Sequence, residues 1–404
     1  MDSLLNGRPE ADLAARGRLL RGLARQRQKQ FDQAAKDLEA FLEAGRADDE
    51  AADARYALAL CRIQLKQFGQ AAAALAELAR QKPGYPHADE AYYELGHACL
   101  QDGRAAEAAQ AFHALAEKLP QSPLAAEAWF QVGRRHEEAA DRASAENERT
   151  SELAKAGKAY AAGLLRAKDA ELKEKLQYKL ADVEFRQKRF DQAAAALQGL
   201  LRERPRGSLA GPARFLAAEC LLRQEKFAEA LPLYAQVAEE KVQPYQPRAL
   251  YRAGACAANQ KKWAESQKYY ETLVRDFPRF EQLDEARYGL AVALQNQARL
   301  DEARRLFQQA AKAGPAETAA KARFMLGEIA FAERKFEDAI EQYLMVTSGY
   351  AYKHWQALAQ FEIGRCFLSL GKRAQAIEAF QTVVGKYHDH PKAQDAARML
   401  TELK

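Results

Sequence analysis

The stretch YELGHACLQDGRAAEAAQAFHALAEKLP, residues 93–120, decides how this chain folds. Tyr93, Leu95, Gly96 and Leu100 recur at helical spacing and make one apolar stripe. The polar run Gln101-Asp-Gly-Arg104 interrupts it, and a second stripe follows in Ala108, Phe112 and Leu115. Pro120 closes the second stripe, because proline lacks an N–H and drives the residue before it out of the helical region. The stretch predicts two antiparallel helices joined by a tight turn. The small Gly96 lets their backbones approach, with Ala108 opposite it.

The same registers run through all 404 residues. The small anchor of an aromatic-x-x-Ala pattern, first met in Phe31-Asp-Gln-Ala34, returns at Ala71, Ala108, Ala156, Ala193, Ala230, Ser266, Ala303, Ala339 and Ala376. The steps are 37, 37, 48, 37, 37, 36, 37, 36 and 37 residues. Twelve residues before each anchor except the fourth stands a Gly or Ala, and the fourth repeat keeps Gly133 ahead of an insertion. Four residues after each anchor stands Leu, Phe or Tyr. Pro83, Pro120, Pro205, Pro278 and Pro315 end units. A lone hairpin cannot bury its own stripe, so such units must stack side by side. The expected fold is all-α, a solenoid of about ten helix-turn-helix units over 10–391 with a capping helix at 392–404. Ala396, Met399 and Leu400 supply the cap's apolar face.

Composition agrees. Gly (22) and Pro (13) are scarce while strong helix formers dominate, and no linker or low-complexity tract marks a domain boundary. Sixty-one basic and 56 acidic residues are interspersed, which argues against a nucleic-acid partner because no basic stripe is concentrated anywhere. No apolar run is long enough to span a bilayer, which needs about 18 residues.

These registers resemble the tetratricopeptide repeat family across nearly the whole chain, residue by residue at Leu95-Gly96, Ala108, Phe112 and Pro120. The period of 36 to 37 exceeds the family's usual ~34. Together with the Tyr93-Glu-Leu-Gly96 register, it is similar to repeats of bacterial cell-envelope proteins, such as outer-membrane assembly lipoproteins and Tol-Pal-associated coordinators. The resemblance implies a right-handed superhelix whose concave groove receives a protein or peptide partner.

Two irregularities stand out. The 48-residue step adds 11 residues around 137–152, expected to lengthen both helices of the fourth hairpin, at about 134–155, by over a turn. Pro9 lies 13 residues before Gly22, as Pro83 does before Gly96, so residues 1–9 read as the tail of a preceding, truncated repeat. On that reading the compartment is the periplasm or envelope if an upstream signal was removed, and the cytoplasm otherwise.

Chemistry-bearing patterns are missing from the sequence. Cys61, Cys220, Cys256 and Cys366 stand two residues after the small position and Cys99 three after it, inward places where Cys serves as a compact hydrophobe. His388-Asp-His390 has no third ligand within reach, and no phosphate-loop, dinucleotide or zinc-protease motif occurs. No enzyme activity, cofactor or metal is expected.

One register carries a functional reading. Three residues before the small position stand Leu19, Tyr56, Tyr93, Phe130, Tyr178, Phe215, Tyr251, Tyr288, Phe324 and Phe361. These rings either pack between successive first helices or stay partly open as an apolar groove, and both can hold at once. In the resembled family this position looks into the groove, and the charged clamp for chaperone tails needs Lys there. Nine aromatic residues and one leucine at these ten positions exclude that clamp. His97, Arg134, Arg223, Asn259, Asn296 and Arg365 are the polar groove candidates. The expected function is a scaffold binding a partner segment, set in an envelope assembly, with a cytoplasmic regulatory module of a longer protein as the alternative.

Overall fold

The computed structural model describes residues 8–43, 48–312, 314 and 316–403. Among them are 21 α-helices and no strand. Two units are distinguished, Met1–Ala210 and Gly211–Lys404. The first holds α1 (Arg8–Arg27), α2 (Phe31–Leu42), α3 (Asp49–Gln64), α4 (Phe68–Gln81), α5 (Ala88–Gln101), α6 (Ala105–Lys118), α7 (Ala125–Arg142), α8 (Glu146–Leu164), α9 (Ala170–Arg186) and α10 (Phe190–Glu203). The second holds α11 (Ala210–Arg223) from its second residue on, α12 (Phe227–Glu239), α13 (Gln246–Asn259), α14 (Trp263–Asp276), α15 (Leu283–Gln295) and α16 (Leu300–Ala310). It continues through α17 (Glu317–Ala332), α18 (Phe336–Gly349), α19 (Lys353–Ser369), α20 (Arg373–Lys386) and α21 (Lys392–Glu402). Within each unit helices pack on chain neighbours, as α1 does on α2 and α12 on α13, and first helices of successive repeats also touch, as α1 does α3 and α13 does α15.

The turn inside each regular repeat is set by backbone geometry rather than by glycine. Seven residues after the small position, Lys29, Lys66, Gly103, Lys188, Glu225, Lys261, Ala298, Arg334 and Gly371 all adopt φ between 57° and 80°. In the third repeat Gly103 N–H bonds Leu100 C=O at 3.1 Å and Arg104 N–H bonds Cys99 C=O at 2.8 Å. This pair of hydrogen bonds closes the last carbonyls of the first helix, and the other regular repeats copy it. The prolines act one step later. Lys82, Leu119, Arg204 and Phe277, each just before a proline, have ψ of 55° to 70°, outside the helical well, and the second helix stops there. Pro315 lies outside the described residues.

The small position is small because a ring lies on it. A Cβ on Gly96 would stand 2.5 Å from Phe112 Cζ, and one on Gly254 2.8 Å from Tyr270 Cε2. The anchor does lie opposite, since Ser266 Oγ donates to Gly254 C=O at 2.9 Å. Phe112, Tyr160, Tyr234, Phe307, Tyr343 and Phe380 are completely buried. Burying each such ring contributes about 2–3 kcal/mol.

In the fourth hairpin α7 and α8 are 18 and 19 residues long, against 14 for α5 and α6. Buried Ala140 and Leu153 extend the apolar seam. Glu137 on α7 is buried there, accepting from the Tyr160 hydroxyl and pairing with Lys179 at 3.0 Å and Arg186 at 3.5 Å. Those partners compensate its desolvation.

The N-terminal reading needs correction. Pro9 does not close an earlier helix; it stands in the first turn of α1, where its missing N–H would have been unbonded anyway. Residues 1–7, the rest of that expected tail, lie outside the described residues. At the other end α21 buries Ala396 and packs Met399 and Leu400 against Phe361, Phe380 and Val383. All five cysteines are buried and none is in a disulfide.

Candidate functional site

The site is built in two layers of rings. The lower layer is the sealed core residue four after each anchor. The stripe residue rests on it, with ring centroids 5.3 to 6.1 Å apart in Tyr93–Phe112, Phe130–Tyr160, Phe215–Tyr234, Tyr251–Tyr270, Tyr288–Phe307, Phe324–Tyr343 and Phe361–Phe380. Tyr56, Tyr93, Phe130, Tyr178, Phe215, Tyr251, Tyr288 and Phe324 are half-buried, so the stripe both packs and keeps open area. Phe361 is the exception. It is buried, and Lys392 at the start of the cap helix holds its ammonium 4.7 Å from the ring centre. Leu19 is buried as well.

A further set of rings, which sequence reasoning missed, joins stripe rings to the loop before the next repeat or, for Trp355, to the first turn of its helix. Tyr85 lies 5.9 Å from Tyr56, Tyr245 5.0 Å from Phe215, Phe280 5.9 Å from Tyr251 and Trp355 5.6 Å from Phe324. The available signal was an aromatic residue 29 to 31 positions after the stripe. Clefts open beside two of these pairs. One of about 490 Å³ is lined by Pro244, Pro247, Arg248, Phe277, Pro278 and Phe280. Another, of about 360 Å³, is lined by Tyr85, Pro86, Leu119 and Pro120.

The polar candidates divide. His97 is wedged edge-on between Tyr93 and Phe112, and its Nε2 has no hydrogen-bond partner. Burial lowers its pKa, so the ring is neutral near pH 7. Arg134, Arg223, Asn259, Asn296 and Arg365 are exposed. Asn259 and Asn296 turn their amides back onto Ala255 C=O and Val292 C=O, at 3.0 and 2.9 Å. Arg365 bonds Glu362 at 2.7 Å and lies over Phe331, and Arg134 is 3.9 Å from Glu138.

The sequence also hid a set of tyrosine–carboxylate pairs. Tyr234 donates to Glu219 at 2.5 Å, with Arg252 3.1 Å from the same carboxylate, and Tyr343 donates to Glu328. Burial, then the neighbouring carboxylate, raises both hydroxyl pKa values far above normal, so these pairs are fixed struts. Among the described residues no group of three His, Cys, Asp or Glu side chains could hold a metal ion, and His390 bonds His354 at 3.0 Å. No described helix is long and apolar enough to cross a membrane.

Stacked helical hairpins with a half-buried ring register define a helical-repeat scaffold. A sequence model of the tetratricopeptide repeat matches residues 19–86, 63–123, 178–242, 215–279, 251–318 and 288–352, and a second model of the same repeat matches 358–390. The chain belongs to the tetratricopeptide repeat family. No curated protein matches it. Solved structures similar to it include a tetratricopeptide repeat protein from Parabacteroides merdae, 15% identical, covering 67% of this chain and 98% of that one, with a TM-score of 0.42. YrrB, described as a TPR protein with an unusual peptide-binding site, is 21% identical, covering 51% and 99%, with a TM-score of 0.39. MamA from Desulfovibrio magneticus is 20% identical, covering 45% and 95%, with a TM-score of 0.38.

Proposed function

We propose that this chain is a non-enzymatic scaffold that holds a segment of a partner protein against the stripe of its first helices, without a cofactor. The observation that supports this is the contrast between two ring layers: the lower rings are sealed, whereas eight of the nine stripe rings keep open area. Tyr and Phe held rigidly with one face free bury large apolar area at little entropic cost, which suits them as anchors. Each unit offers a cleft for a partner side chain, beside Tyr85 in the first and beside Phe280 in the second. Asn259 and Asn296 keep their amide oxygens as acceptors. An assembly of the bacterial cell envelope is the setting we favour, on the resemblance of the repeat registers; a regulatory module of a longer protein is distinguished from it by where the native protein resides.

The test is the double variant Tyr251→Ala with Tyr288→Ala. Each anchoring ring lost should cost about 2 kcal/mol of affinity, with a smaller fall in thermal stability. A co-purified partner retained in full by a variant with a large melting loss would assign the stripe to the core alone.

A further inference from the structure

We infer that repeats two to four, within Met1–Ala210, take a basic segment, with arginine or lysine side chains inserted between tyrosine rings and a run of carboxylates that no lysine or arginine pairs. This rests on the protein-binding reading above and specifies the partner's chemistry.

The observations come from one register. Six residues before the small position stand Asp53, Glu90 and Glu127, and Glu94 follows Tyr93. Stripe and loop tyrosines lock these acids across repeats. Tyr56 donates to Glu90 at 2.9 Å, and Tyr85 donates to Asp53 at 3.0 Å. Each repeat thus supplies a hydroxyl to the carboxylate of the other. Glu94 feels Glu90 as a like charge, and burial with that repulsion raises its pKa. Glu127 adds its field to Tyr93 and His97.

No described lysine or arginine lies within 4 Å of these four carboxylates. The only cationic candidate is His87, whose Nδ1 is 3.8 Å from Glu90. The nearby cations are engaged elsewhere: Arg135 with Glu138 at 2.6 Å and Lys175 with Glu171 at 2.8 Å. Glu219 and Glu362, by contrast, have Arg252 and Arg365 as partners. In a chain carrying +5 overall, none of these four acids is in contact with a described lysine or arginine, and Lys175, which feels Glu127, is itself bonded to Glu171.

A second observation points to a donor-bearing ligand. Gln131 is only 6% exposed, and its Nε2 donates to Glu127 at 2.9 Å. That bond fixes the amide orientation and leaves Oε1 as a buried acceptor with no partner. Such a group costs stability until a donor reaches it. An arginine brings five N–H donors in a planar fork that also stacks on tyrosine, so it answers the acids, the rings and the orphaned oxygen together. First helices of adjacent repeats lie about 10 Å apart. An extended chain advances about 3.3 Å per residue, so basic residues three apart would meet successive repeats.

The test uses the full chain and three fluorescein-labelled ten-residue peptides with an alanine–glycine background. One carries arginine at every third position, one glutamate there, and one leucine. Fluorescence anisotropy should show saturable binding of the arginine peptide alone, weakened by added NaCl. The variant Glu90→Gln with Glu94→Gln should weaken it at least tenfold with an unchanged melt. The control Glu146→Gln with Glu148→Gln, on the exposed start of α8, should leave it unaltered. Equal binding of the leucine peptide, no binding of the arginine peptide, or indifference to Glu90→Gln with Glu94→Gln would overturn the assignment. A partner still captured at Tyr251 and Tyr288 in that event would leave the scaffold reading standing.

Discussion

Gly96 and Phe112 are in such close contact that a single methyl group on Gly96 would stand 2.5 Å from the ring's Cζ. The ring is completely buried and cannot swing away without leaving the core. Gly96→Ala should therefore destabilise the chain by about 1–3 kcal/mol, as overpacking does. Gly199→Ala is the matched control, because nothing lies within 4 Å of its missing Cβ and it sits inside α10. There the better helix propensity should add about 0.5–1 kcal/mol. Urea titrations of both variants check the opposite signs.

The left-handed turn residues give a second test. Ala298 adopts φ 62°, a conformation that costs a residue with a Cβ about 1 kcal/mol and glycine almost nothing. Ala298→Gly should stabilise by roughly that amount, partly offset by the freer unfolded chain. Gly103→Ala, at φ 80°, should do the reverse.

Helices, repeat number and ring layers were legible because each hairpin reuses the same packing geometry, so Gly96, Ala108 and Phe112 are copied in phase. The turn geometry was not legible, since Lys or Arg stands at most positive-φ places and local bonds, not residue type, impose the conformation. Pro9 misled because proline suits the first turn of a helix as well as the stretch beyond its end. The stripe register was readable, but Phe361 could not be told from its eight open equivalents, because its cover comes from Lys392 and the cap. Tyr85 and Phe280 were missed because loop lengths vary and shift their register by up to two residues.

Ala193 is fully buried between α9 and α10, whereas Lys36 is exposed and pairs with Asp32 at 2.7 Å. Ala193→Glu should cost roughly 3–5 kcal/mol, because an unpaired charge would be buried. Lys36→Glu should leave stability nearly unchanged, because an exposed ion pair contributes little. Comparable melting losses for the two would show that the repeat register is misassigned.

Burial pushes the Cys61 and Cys256 thiols up to about 11 and the Cys366 thiol to about 12. The native chain should resist a thiol reagent at pH 8 and release five thiols once denatured. Because these pKa values are raised on folding, the stabilisation is complete below about pH 9, the ordinary thiol value. It should be lost as pH rises from there through 11 to 12, since the unfolded chain ionises first. A denatured count near three or one would mean disulfides.

The most direct test of the scaffold account places a photo-reactive phenylalanine analogue at position 251 or 288 in the native cell, with position 268, exposed on α14, as the control. The ring is retained, so folding is little disturbed. Irradiation should cross-link positions 251 and 288 to the same partner protein and leave 268 without it. Cross-links from 251 and 288 confined to this chain, with the partner captured from 268 instead, would contradict the account.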